Sequence, residues 1–155
     1  MRVLGIDPGI ERVGWGIVDI SPQTALYRGC GCITTSRKKP HRERISDIVR
    51  ELRDLIGRER PEHAVIEKLF FAKNRKTALQ VSESRGAILL TLQEAGLGID
   101  EFTPLEVKAS ITGNGRAEKR QVAWMVKNIL KIQGPITSDD ALDALALCLM
   151  AQRRV

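Results

Sequence analysis

The order of its apolar runs predicts an α/β protein built on a mixed five-stranded sheet with helices packed against it. Three alternating apolar runs, near residues 2–7, 13–20 and 26–34, follow one another with only turns between them. Two later short runs, near 63–67 and 98–103, are each preceded by a stretch with helical spacing. Two of the runs, "VLGID" and "AVIE", end on an acid, Asp7 and Glu67. Strand interiors favour β-branched and large apolar residues, and carboxylates are among the residues least often buried, so both acids mark strand tips.

The first run reads as a short buried strand, and "DPGIER" after it is turn chemistry. "VGWGIVDI" and "LYRGCGCIT" read as two more strands joined at "SPQT", which makes an antiparallel meander. "SRKKPHRER" is a basic loop leading into a helix in which Ile45, Ile48, Val49, Leu52, Leu55 and Ile56 recur at helical spacing. Gly57 and Pro61 are expected to bracket its end. "HAVIE" is the fourth strand, and a long helix is expected from about 73 to 95, stopped by Gly96. "GIDEFT" is the fifth strand. In "TPLE", Thr103 is a candidate N-cap, Pro104 sits at the first helical position and Glu106 completes a capping box. Two further helices are expected at about 117–131 and 138–153, after the basic loop "TGNGRAEKR". A strand that returns through a helix runs parallel to its predecessor. Strand four is therefore expected beside strand one, with Asp7 and Glu67 at the carboxyl edge where open α/β sheets place their sites. The chain shows no repeat or linker, and residues 1–155 read as a single domain.

Twenty-five Lys and Arg stand against 19 Asp and Glu, a net charge of +6, which favours a polyanionic partner. The longest apolar stretches fall short of the roughly 18 residues a membrane helix needs, so no membrane partner is expected. The N-terminus reads directly as a strand, with no signal-peptide pattern. Cys30, Cys32 and Cys148 do not form a disulfide framework, and His41 and His63 have no zinc-motif spacing. These features point to a reducing, cytoplasmic setting.

The last helical pattern, "SDDALDALALCLMA", carries a single charge between Ala141 and Ala151, and it is Asp143. An unpaired carboxylate there would cost several kcal/mol. Asp140 lies on the same helix face, one turn earlier. Asp139 and Asp140 also suit a helix's first turn, where acids complement the macrodipole, and for Asp139 that is the preferred role. Asp7, Glu67, Asp140 and Asp143 would repel one another if brought together, unless divalent cations compensate them. Hard oxygen ligands suit Mg²⁺ or Mn²⁺, and two such ions form the clamp used for displacement at phosphorus. With those four acids set aside, 25 basic residues face 15 acidic ones, a balance of +10 around a small acidic centre. That distribution fits a metal-dependent phosphodiesterase better than a protein-binding module.

The runs "GIDPG" at 5–9, "IEKLFFAKN" at 66–74, "SRG" at 84–86, "VKASITGNGRAEKRQV" at 107–122 and "DDALDALAL" at 139–147 occur in one order along nearly the whole chain. In this the sequence resembles the RuvC-type Holliday junction resolvases. The resemblance implies a ribonuclease-H-like fold and four metal-binding catalytic acids, which fall on Asp7, Glu67, Asp140 and Asp143. It also implies a homodimer that binds four-way junction DNA and nicks two strands symmetrically, with a branch-migration motor as a family partner. It puts a base-stacking aromatic at Phe70, where stacking is worth about 1–3 kcal/mol. Lys73, Arg75, Lys76, Lys108, Arg116, Lys119 and Arg120 cluster near the matching runs and are candidate phosphate contacts, Lys108 and Lys119 above all. Arg37, Lys38, Lys39, Arg42 and Arg44 either extend that surface or belong to a solvated loop, and the loop is the preferred reading. The 73–95 helix carries more apolar surface than one sheet face covers, and the resemblance makes part of it the dimer interface. Three rivals are weighed against this reading. An actin-like ATPase needs a second domain, a non-catalytic junction binder has no need of the four acids, and the last is a less specific nuclease.

Overall fold

A computed structural model of the chain describes residues 1–69 and 75–154. The strands are β1 (Arg2–Asp7), β2 (Arg12–Ile20), β3 (Ala25–Thr34), β4 (His63–Glu67) and β5 (Gly98–Phe102). The helices are α1 (His41–Glu59), α2 (Arg75–Glu94), α3 (Pro104–Thr112), α4 (Lys119–Ile129) and α5 (Asp139–Met150), and a short 3-10 turn follows at Ala151–Arg154.

The sheet order is β3-β2-β1-β4-β5. The first three strands pair antiparallel as the meander predicts, and β4 and β5 join parallel on the far side of β1. Because side chains alternate along a strand, each strand feeds two cores. Leu4, Ile6, Ala64 and Ile66 pack with Ile48, Leu52 and Leu55 of α1 and with Ile88 and Leu92 of α2. Val3, Val18 and Val65 pack on the other face with α5, α4 and α3. Asp7 and Glu67 are in phase with Val3 and Val65, so both acids belong to the α5 face. Helix α5 lies between the sheet and α3 and α4, and its residues Ala144 to Met150 are all buried. Its close seat depends on small residues beneath it: a Cβ on Gly5 would overlap the carbonyl oxygen of Ala144, and one on Gly14 would overlap that of Asp140.

The capping box at α3 is present, with Thr103 accepting from Glu106 N and the Glu106 carboxylate accepting from Thr103 N. Helix α1 departs from expectation at its start. It begins at His41 because residues of the presumed loop are bonded into the fold. The buried Arg44 donates to Thr35 Oγ1 at 2.8 Å, and Lys39 pairs with Asp47 at 2.6 Å. It continues through Gly57 to Glu59, and Arg60, at φ 50, ends it with its N–H on the Ile56 carbonyl. The helix thus ends between Gly57 and Pro61, where the sequence places its end. Helices α4 and α5 are each shorter than their predicted spans.

Candidate active site

The last ladder pair between β1 and β4 is Ile6 with Ile66, so Asp7 and Glu67 emerge side by side at the carboxyl edge. The N-terminus of α5 points its acids at the same place. Ser138 caps the helix by accepting from Ala141 N at 3.3 Å, and its hydroxyl lies 2.8 Å from Cys32 Sγ on β3. Asp140 and Asp143 follow on one helix face.

Electrostatics tie the four acids into one group. Burial, followed by the charges of Glu67, Asp143 and Asp140, pushes the Asp7 carboxyl up to about 8. Burial and the Asp143 charge push Glu67 up to about 7, against the opposing pull of Lys119, a hydrogen bond with Asp7 and the charge of Lys108. Burial also raises Asp143, opposed by Lys119. Lys119 Nζ donates to Asp143 Oδ2 at 2.7 Å, and Arg12 Nε sits 3.3 Å from Asp140 Oδ2. Burial alone would lower Lys119, but the hydrogen bond and charge of Asp143, with Asp139 and Asp7, leave it raised. Asp143 is thus not the unpaired charge its apolar neighbours suggest, because α4 brings a partner across.

A cleft of about 200 Å³ opens beside these residues, lined by Glu67, Pro104, Val107, Lys108, Lys119, Val122, Asp143, Ala146 and Leu147. None of these described lining residues carries a hydroxyl or thiol. Among the described residues, no three His, Cys, Asp or Glu converge closely enough to cage an ion by themselves. The donor set still fits Mg²⁺ or Mn²⁺. It offers hard carboxylate oxygens whose charges burial and mutual repulsion oppose, a conflict that a divalent cation offsets, and Mg²⁺ keeps waters and substrate oxygens in its shell rather than needing a closed protein cage.

The other sequence candidates divide. Lys108 lines the cleft. Arg120 is 91% exposed and stands 3.8 Å from Glu118, and Arg116 is exposed on the loop before α4. Phe70 and Lys73 lie outside the described residues, as do the side chains of Arg75 and Lys76 at the start of α2. In the 37–44 segment, Arg37 pairs with Glu11 at 2.6 Å. Reading the sequence missed three contributors. Arg12 belongs to the turn after Asp7, but nothing in the chain marks it as the partner of an acid far along the sequence. Gly14 lies in a "GWG" run whose small residues signal a close approach. Arg85 of "SRG" donates through Nε to the Glu67 carbonyl at 2.9 Å.

Comparison with known proteins places this arrangement. The family model described as crossover junction endodeoxyribonuclease RuvC matches residues 3–151. A crossover junction endodeoxyribonuclease RuvC of Pelotomaculum thermopropionicum is 42% identical over 149 residues, covering 96% of this chain and 91% of the relative. The structure of Thermus thermophilus RuvC superposes with a TM-score of 0.89 at 32% identity, covering 99% of this chain and 96% of that one. Thermus thermophilus RuvC in complex with Holliday junction substrate gives a TM-score of 0.89 at 34% identity, with 96% and 91% covered. The sheet order and flanking helices are the ribonuclease-H-like arrangement of these proteins, and the chain belongs to the RuvC family of crossover junction endodeoxyribonucleases.

Proposed function

We propose that this chain is a structure-selective endonuclease that resolves four-way DNA junctions by paired, symmetric nicks, in recombination and repair, with residues 1–155 acting as a single nuclease domain in the cytoplasm. The observation that carries the reading is the convergence of Asp7, Glu67, Asp140 and Asp143 from β1, β4 and α5 on one sheet edge, beside Lys119 and Lys108. These four acids are the proposed ligands of two divalent ions, Mg²⁺ or Mn²⁺. Bound there, the ions would offset charge at the scissile phosphate and ease deprotonation of the attacking water. The chain's own residues do the rest. Lys119, freed from Asp143, and Lys108 hold phosphate oxygens at the cleft. Arg116 and Arg120 extend the cationic surface along α4, whose other basic residues include Lys127 and which contains no acid. The absence of a hydroxyl or thiol among the described cleft residues supports water as nucleophile; its oxygen bonds to phosphorus as the P–O3′ bond breaks and the 3′-oxygen leaves as a hydroxyl, giving 5′-phosphate and 3′-hydroxyl ends.

Lys73, Arg75 and Lys76 are assigned to the same phosphate-binding role, and Phe70 to stacking on an unpaired base at the junction centre. A homodimer suits a pseudo-twofold substrate. Leu79 and Leu90 of α2, 62% and 60% exposed, supply apolar surface for it, so α2 is not the fully covered core helix that its composition also allows. A branch-migration motor is the proposed accessory partner. The test is to incubate the protein with a synthetic four-way junction or a matched linear duplex, with and without Mg²⁺. Cleavage of the junction alone, and only with the ion, is the expected result. Equal cleavage of both substrates would leave a general nuclease.

A further inference from the structure

We propose that Ser84 and Arg85 of α2 are positioning residues that set the spacing of Asp7 and Glu67. The proposal rests on the reading of those acids as the metal site. No ladder pair joins Asp7 to Glu67, because the β1–β4 pairing stops at Ile6 and Ile66. Asp7 is held sideways by β2, where it pairs with Gly14, and Glu67 by β5, where it pairs with Phe102. The distance between the two tips is therefore fixed by whatever grips both of them. Helix α2 does so with two consecutive residues. Ser84, completely buried, donates its hydroxyl hydrogen to the Gly9 carbonyl at 2.7 Å, two residues after Asp7. Arg85, with a side chain only 16% exposed, donates Nε–H to the Glu67 carbonyl at 2.9 Å. Its second guanidinium nitrogen bonds the Glu101 carboxylate on β5, and Glu101 is the ladder partner of Ile66. One helix turn thus clamps the β1 turn, the β4 tip and β5 together.

Both ties end on backbone carbonyls and leave the Asp7 and Glu67 carboxylates free, which separates positioning from catalysis. Metal ligands must be held to about half an ångström, and loss of an outer hydrogen bond to a ligand typically costs 10–100-fold in metal affinity or activity. Lysine cannot replace the guanidinium, which reaches two acceptors through a rigid fork.

The test uses Arg85→Ala, Arg85→Lys and Ser84→Ala in the full chain. It reads the Mn²⁺ concentration that half-saturates thermal stabilisation, kcat and KM on a four-way junction, and junction affinity without metal. Arg85→Ala should raise the Mn²⁺ midpoint and lower kcat, each about tenfold or more, while KM and metal-free junction affinity stay within about twofold. Arg85→Lys should recover only part of the loss, and Ser84→Ala should move the same readings less. Variants with a lower melting temperature but wild-type Mn²⁺ midpoint and kcat would overturn the proposal. If Arg85→Ala does not fold, Arg85→Lys and Ser84→Ala decide it by the same readings. Wild-type protein that binds Mn²⁺ at these acids but cuts no junction would sink the resolvase reading and leave the positioning claim to the Mn²⁺ midpoints.

Discussion

At the scale of single residues, the candidate site is a set of acids whose charges the fold alone does not stabilise. Asp7 carries the largest conflict, since burial and three neighbouring carboxylates oppose its charge. Asp7→Asn keeps the shape and removes the charge. The metal-free variant should therefore melt higher than the wild type at pH 8, by about 2–4 °C for each kcal/mol of repulsion relieved. It should also lose the added stability that Mg²⁺ gives the wild type, together with junction cleavage. Thermal melts with and without Mg²⁺ check this; a variant that melts lower without metal, or that keeps the full Mg²⁺ shift, would place the conflict elsewhere. Asp7, Glu67 and Asp143 were legible in the sequence, because a strand ending on an acid and a lone acid in an apolar helix each break the local rule, and Asp140 followed as the acid one turn before Asp143. Their cationic partners were not legible as partners. Lys119 lies 24 positions before Asp143 and Arg12 far before Asp140, and only the packing of α5 against α4 and against β2 brings these pairs together.

At the scale of elements, period and caps carried most of the information. The meander, the helical returns and the α3 capping box each follow from local chemistry, so each could be read before the fold was known. The start of α1 could not, because "SRKKPHRER" has loop composition and is drawn into order by distant partners, Arg37 by Glu11 and Arg44 by Thr35. The same kind of charge pairing anchors the meander. Asp19 on β2 accepts from Arg2 Nε at 2.8 Å and from Arg28 Nε at 2.6 Å, and the Arg2 and Arg28 bonds hold its carboxyl down at about 2. A carboxylate with a depressed pKa contributes stability that is present above its ordinary value near 3.8 and is lost as pH falls through about 2. Asp19 is partly exposed, so its contribution is about 0.5–1 kcal/mol after screening. Urea unfolding should show Asp19→Asn less stable than wild type by that amount at pH 6, with the gap shrinking as the pH is lowered below 4. A gap that stays constant down to pH 2.5 would mean the arginines do not act through the Asp19 charge.

At the scale of the whole molecule, a basic chain surrounds a small acidic edge, and helix α2 presents Leu79 and Leu90 to the outside. The edge would hold the reacting phosphate, the basic surface the junction arms, and a second copy docked on α2 would bring a second edge into twofold relation with the first. Family membership says which substrate to offer; the paired chemistry must be read from the products. The most direct measurement labels a four-way junction on each of its four strands, cuts it with the protein in Mg²⁺, maps every nick, and adds DNA ligase without end repair. The account predicts nicks at symmetry-related positions on two strands of like polarity, and nicked duplexes that ligase seals. Asymmetrically placed nicks, or ends that ligase cannot join, would contradict it.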